Sequence, residues 1–273
     1  MLKLYKNEVV SLTTDTGRRR NNEDSIMEVA HPLNKNYKLL AVADGVGGCP
    51  NGEQASSYVL NKLKKYFMLI PLFVYKDIDN TKELLEKIIN NINDSLVKRN
   101  EKFYKGLEQP ATTLTCAIIL DDKTIVASIG DSRAYIIKEN ILQQITEDNS
   151  YVWTLYKNGI ITKDEIRFRI DNNIITKCLG RKDNNDIEIK ELNNNEYTSL
   201  ILCTDGVTDC LSDKKIQNIV VNSSTDDIAN ELVYEAVHIN QLDIVPKGEF
   251  FEKTKCGKDN SSAVVLKKIK VDK

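Results

Sequence analysis

With 273 residues and an apolar fraction of 41%, the chain can bury a substantial core, and its length alone leaves open one large domain or two small ones. The formal net charge of −2 excludes a general binder of nucleic acid or of anionic membrane, because either partner selects a basic surface. Six cysteines are dispersed without a C-x-x-C pair, the pattern of buried free thiols in a reducing compartment. The opening MLKLYKNEVV has no secretory apolar region, and FMLIPLFVY (67–75) is broken by Pro71 and too short to span a bilayer. A cytoplasmic location is expected.

In chain order, VVSLTTDTG (9–17), SIMEVAHPL (25–33) and YKLLAVAD (37–44), with a turn at NKN (34–36), read as a meander of three short strands ending at Asp44. A helix is predicted from Gly52 to Tyr66. A second follows Asn80, where Leu84, Leu85, Ile88, Ile89, Ile92 and Leu96 recur at helical spacing. Then comes a second meander: TTLTCAIIL (112–120), TIVASIGD (124–131), RAYIIK (133–138) and ILQQI (141–145), with turns at DDK (121–123) and Glu139–Asn140.

Between Asn149 and Gly180 the strand pattern stops. Two short helices are predicted there, the first closing at Gly159 and the second opening at Thr162, where Glu165 has capping-box spacing. This insert, 149–180, is expected to form a small flap beside the site. Strands resume with DIEIKEL (186–192) and SLILCTD (199–205). Helices over 212–221 and 226–239, a loop over 242–258 and a last strand AVVLKKI (263–269) complete the chain. No repeat or linker divides it. The expected fold is α+β: a single domain, 1–273, built as a four-layer α/β/β/α sandwich, with two antiparallel sheets face to face, helices outside each, and the helical flap.

Four aspartates lie at the edges of apolar, strand-like runs: Asp44 in LLAVADGVGG, Asp131 in TIVASIGDSR, Asp205 in LILCTDGVTD and Asp259 in KDNSSAVVL. Carboxylates at the junction of a buried strand and a loop are desolvated on one side and, if brought together, repel by roughly 1–4 kcal/mol per pair. Bound cations make such a cluster tolerable, and all-oxygen donors suit magnesium or manganese rather than zinc. Gly45 and Gly206 directly follow two of the aspartates and allow a close backbone approach.

The ordered segments GRRRNNED (17–24), VADGVGG (42–48), ATTLT (111–115), GDSRAY (130–135), IITKCLG (174–180), CTDGVTD (203–209) and KDNSS (258–262) together resemble the metal-dependent protein phosphatases of type 2C, in a bacterial-like stand-alone form. The resemblance implies hydrolysis of phosphoserine and phosphothreonine in proteins by a water activated between two divalent ions, Mn2+ or Mg2+. It implies that Asp44 bridges the ions, Gly45 offers its carbonyl, Asp205 and Asp259 complete the pair, and Asp24 acts through water. Asp131, with Asp205, matches a weaker third metal position. Arg19 matches the arginine that grips the substrate phosphate, with Glu23 and Asn260 as supporting residues. A planar guanidinium suits that role because it donates two parallel hydrogen bonds and stays charged.

Two departures concern acid catalysis. Val46 and Cys49 stand where animal and bacterial members respectively carry histidine, and His31 and His238 are expected to be non-catalytic. The partners implied are phosphorylated proteins and an opposing serine/threonine kinase, with a monomeric enzyme. Two other readings stay open: an inactive phosphopeptide-binding or regulatory relative, and a metal-dependent phosphohydrolase of a small phosphate compound.

Overall fold

The computed structural model describes residues 5–47, 49, 51–105, 107–182, 186–223, 226–238 and 256–270. Its strands are, in chain order, β1 (Tyr5–Asp15), β2 (Ser25–His31), β3 (Asn34–Ala43), β4 (Leu114–Ile119) and β5 (Lys123–Ile129). They continue with β6 (Arg133–Lys138), β7 (Ile141–Gln144), β8 (Glu188–Asn193), β9 (Ser199–Cys203) and β10 (Ser261–Lys270). One antiparallel sheet has the order β2-β3-β4-β5-β8 and the other β1-β10-β9-β6-β7.

Strand alternation assigns each apolar residue to one of three layers of core. In β3, Leu39, Ala41 and Ala43 face outward onto α1 (Gly52–Leu69) and α2 (Ile78–Phe103). Leu40 and Val42 face inward, where they meet Ala134, Ile136, Leu200, Leu202, Val264 and Leu266 of the opposite sheet. In that second sheet Tyr135, Ile201, Cys203, Ala263 and Val265 point the other way, onto the helices after β9. Those helices are α4 (Asp205–Thr208), α5 (Asp213–Asn222) and α6 (Ile228–His238), and α3 (Tyr151–Lys157) lies in the insert before them. The inner strands are therefore buried on both faces, which is why they read as unbroken apolar runs. Each such Leu, Ile or Val contributes about 1.5–3 kcal/mol. The α/β/β/α layering expected from the sequence is present.

The expected meanders are not. β1 pairs with β10 along its length, whereas β2 and β3 belong to the other sheet; likewise β4 and β5 pair in one sheet while β6 and β7 pair in the other. The chain thus changes sheets four times: through residues 16–24, through Gly130–Ser132, between β7 and β8, and between β8 and β9. Periodicity marks a strand but not its partner, so the crossovers are invisible locally. The NKN turn also moves: Asn34–Asn36 belong to β3, and the reversal occurs at Pro32–Leu33. There the Leu33 N–H donates to His31 Nδ1 at 3.3 Å. α2 starts at Ile78, two residues before Asn80, because Asp77 caps it by accepting from the Asn80 N–H at 3.1 Å. The predicted loop over 242–258 lies outside the described residues except for 256–258.

The insert forms α3 and a 3-10 turn over Lys163–Phe168. Val152, Trp153, Ile161 and Ile166 make its small core, and the Glu165 carboxylate accepts from Thr162 N at 2.7 Å. A buried ion pair holds the start of the insert to β6: Arg133 Nε donates to Asp148 Oδ2 at 2.9 Å and Nη2 to the same atom at 2.7 Å. Breaking one half of such a pair leaves an uncompensated buried charge. Asp148→Ala is expected to cost about 3–5 kcal/mol in urea unfolding; a loss below about 1 kcal/mol contradicts this structural role.

Candidate active site

The first two crossovers deliver side chains to the same end of both sheets. The first carries Arg19, Glu23 and Asp24, and the second carries Asp131. Asp44 ends β3, Asp205 opens α4 after β9, and Asp259 precedes β10. Backbone bonds fix these positions: the Asp44 N–H donates to Thr113 Oγ1 at 2.9 Å, and the Asp44 carbonyl accepts from Thr113 N at 2.8 Å and Thr112 Oγ1 at 2.8 Å. Asn260 ties the first crossover to β10. Its Oδ1 accepts from Glu23 N at 2.9 Å, and its Nδ2 donates to the carbonyls of Thr16 and Asn21 at 2.9 and 3.0 Å.

Two glycines permit the convergence. A Cβ on Gly206 would sit 2.0 Å from the Asn260 carbonyl oxygen, so only glycine lets the chain after β9 reach the start of β10 and bring Asp205 beside Asp259. A Cβ on Gly45 would sit 2.6 Å from the Gly52 carbonyl carbon. The first turn of α1 is packed directly against the residue after Asp44.

The cluster is electrostatically unfavourable. Burial, followed by repulsion between neighbouring carboxylates, pushes Asp44 well above the ordinary carboxylate range, and Asp131 likewise. Asp24 is pushed up to about 7, chiefly by burial, although Ser262 Oγ and Thr204 Oγ1 donate to its Oδ2 at 2.6 and 2.9 Å. Asp205 is pushed up to about 6 by burial and then by Asp259, against a hydrogen bond with Asp44. Arg19 Nη2 compensates Asp259 at 2.6 Å, with side chains 49% and 40% exposed.

The residues present fit hard divalent cations. Asp24 Oδ1, Asp131 Oδ1 and Asp205 Oδ1 are buried without a hydrogen-bond partner, in a group made of oxygen donors alone. Among the described residues no three ligating side chains already stand as a closed metal cage. Arg19 engages Asp259, and burial favours the protonated forms of Asp44 and Asp205.

All the predicted residues Arg19, Glu23, Asp24, Asp44, Gly45, Asp131, Asp205, Asp259 and Asn260 lie around this end of the sandwich. His31 and His238 do not. His31 is buried, its Nε2 bonded to the Ile70 carbonyl at 3.0 Å, and its ring packs edge-on to Phe67 and Tyr75. His238 is exposed and stacked on Tyr234. Two residues at the site escaped the sequence reading. Asp209, raised well above the ordinary range by burial and Asp205, accepts from Asn172 Nδ2 of the insert at 2.6 Å. The available signal was its spacing, four residues after Asp205 on one helical face. Asn172 shows that the insert does reach over the acidic cluster.

Two antiparallel sheets packed face to face thus hold a cluster of carboxylates at their shared end, a donor set suited to hard divalent cations. The protein phosphatase 2C family profile matches residues 13–239, and the chain belongs to that family. It is 30% identical over 217 residues to the serine/threonine phosphatase stp of Listeria monocytogenes, covering 78% of this chain and 82% of that one. It superposes on the serine/threonine phosphatase Stp1 from Staphylococcus aureus with a TM-score of 0.82 at 30% identity, over 96% of this chain and 95% of that one. The catalytic domain of the serine threonine protein phosphatase PstP, in complex with two manganese ions, gives a TM-score of 0.72 at 27% identity, over 96% and 99% of the two chains. This chain is accordingly an enzyme, a protein phosphatase.

Raised carboxylate pKa values make a signed prediction. With Asp24 at about 7 and Asp205 at about 6 against an ordinary value of 3.8, the folded state binds more protons than the unfolded one between these limits, so stability falls as pH rises. In chelator, the melting temperature is expected to drop from pH 5 to pH 7, and Asp24→Asn to flatten that slope. A wild-type melting temperature that climbs over this interval contradicts it.

Proposed function

We propose that this enzyme removes phosphate from phosphoserine and phosphothreonine in proteins, with two divalent ions, Mn2+ or Mg2+, held by Asp44, the Gly45 carbonyl, Asp205 and Asp259. Asp24 orients the ligand shell from behind, and Asp131 with Asp205 offers a weaker third position that Asp209 adjoins. The observation that carries this reading is the convergence of carboxylates with unpartnered buried oxygens at one end of the sheets. The bound ions supply positive charge for the phosphoryl oxygens and lower the pKa of a coordinated water.

The chain's own residues do the rest. Arg19 is the half-exposed cation at the cluster, and its fork, now on Asp259 through Nη2, has the geometry to engage two phosphate oxygens. Asn260 holds the arginine-bearing crossover against β10 through three hydrogen bonds. Glu23, its pKa raised first by burial and then by Glu53, borders Gly52 at the base of α1 and supports the same crossover. With both histidines remote, the leaving alkoxide takes its proton from solvent rather than from an imidazole.

No described helix is long and apolar enough to cross a membrane. We place the enzyme in the cytoplasm as a single-domain monomer that opposes a serine/threonine kinase in signalling. Hydrolysis of an aryl phosphate and of a phosphothreonine peptide is expected with manganese, none with chelator, and at least about a hundredfold less for Asp205→Asn. Arg19→Ala raises KM for the phosphopeptide, and Arg19→Lys restores it only in part. Activity that survives chelator contradicts the proposal, and a preference for nucleotides over phosphopeptides favours a small phosphate compound as substrate.

A further inference from the structure

The outer helix pair carries a second charged feature away from the acidic cluster. Between α1 and α2 lies an open groove of about 500 Å³ whose lining includes Gln54, Tyr58, Asn61, Lys62, Lys65 and Arg99 and contains no carboxylate. Arg99 lies 5.2 Å and Lys62 5.5 Å from the centroid of the Tyr58 ring, and the Tyr58 hydroxyl is hydrogen-bonded to Ser95 Oγ at 2.7 Å.

These cations differ from others on the surface. Lys82, Lys123, Lys157, Lys163, Lys177 and Lys190 each stand within 3.1 Å of a carboxylate. Among the described residues, Lys62, Lys65 and Arg99 make no ion pair; Arg99 instead donates to the neutral Gln54 Oε1 at 3.1 Å. On a chain of net charge −2, three cations without an ion pair lining one groove, two of them over the Tyr58 ring, are a local field of the opposite sign.

The groove also begins at the active site. Gly52 opens α1 and packs on Gly45, Ser56 Oγ donates to the Glu23 carbonyl at 2.7 Å, and Gln54 lies in the same first turn. Lys65, eleven residues farther along, is displaced by about 16 Å at the rise of an α-helix. An extended polypeptide covers that span in roughly five residues.

We propose that the α1–α2 groove docks an acidic segment of the phosphoprotein substrate, lying several residues from the phosphorylated position, so that the enzyme selects substrates by charge outside the catalytic cluster. The inference rests on the protein-phosphatase reading. Its occupant is a run of Asp or Glu side chains in extended polypeptide: carboxylates meet Lys62, Lys65 and Arg99, and the chain passes over Tyr58. Exposed ion pairs are individually weak, so selectivity requires several acting together, and it is screened by salt.

The test uses the full chain with manganese and three substrates: an aryl phosphate, a neutral phosphothreonine peptide, and the same peptide with four glutamates beginning about five residues from the phosphothreonine, on either side. For wild type, kcat/KM for one of the acidic peptides is expected to exceed that for the neutral peptide by roughly tenfold at 50 mM salt, through KM, and the advantage to shrink by 300 mM salt. Lys62→Ala with Lys65→Ala removes the advantage, Lys62→Glu with Lys65→Glu inverts it, and aryl phosphate turnover in both variants matches wild type. An acidic advantage that persists in both variants, or no advantage in wild type, overturns the proposal. So does binding of anionic phospholipid vesicles that the same substitutions abolish while peptide selectivity stays unchanged. Failure of the phosphatase reading itself is distinct, since it abolishes aryl phosphate hydrolysis in every variant including wild type.

Discussion

The structure is organised around a repulsion. Asp24, Asp44, Asp131, Asp259 and the Asp205–Asp209 pair come from segments far apart in sequence, and the fold forces them together although each close pair costs roughly 1–4 kcal/mol. Raised pKa values on five of the six record that cost. A chain selected for stability alone has apolar alternatives at these positions. Retaining carboxylates with unpartnered oxygens is intelligible when divalent charge is part of the working enzyme, since each ion offsets two of them and needs oxygen ligands.

Opposing terms come from the layers. Both sheets are covered on both faces, so three separate strata of apolar side chains hold the strand ends in register. The crossovers convert that rigidity into placement. Residues 16–24 and Gly130–Ser132 are two of the four points at which the chain changes sheets, and both carry site residues, so the crossover geometry and the acidic cluster cannot be altered independently. Asn260 and the close contact of Gly206 with it lock the first crossover to the second sheet. The same economy extends to α1, whose first turn rests on Gly45 and whose far end lines a basic groove. One helix thus links the acidic centre to a surface of opposite sign.

Much of this was legible in the residues. Strand runs such as LLAVAD and SLILCTD, the Thr162–Glu165 cap, and the aspartates at strand ends all appear where they were expected, because burial on two faces and capping chemistry leave local marks. Pairing left none. β1 reads as the neighbour of β2 but bonds to β10, a choice set by inter-sheet packing rather than by any feature of either strand. Asp209 was overlooked because an acidic residue at a helix end ordinarily reads as solvated surface; only the tertiary fold, which buries it against Asp205 and Asn172, changes its meaning. The basic groove was equally hidden, since Lys62 and Lys65 of α1 and Arg99 of α2 line one groove only after the two helices pack.

The central claim is that divalent ions replace bound protons and Arg19 as compensation for the carboxylates. Calorimetric titration of the full chain with manganese at pH 6.5, in buffers of different ionisation enthalpy, tests it most directly because it reports ions bound and protons released together. Saturation at two tightly held ions per chain with net proton release, and loss of at least one ion in Asp44→Asn, is the predicted result. Manganese binding without proton release, or binding unchanged in Asp44→Asn, contradicts it.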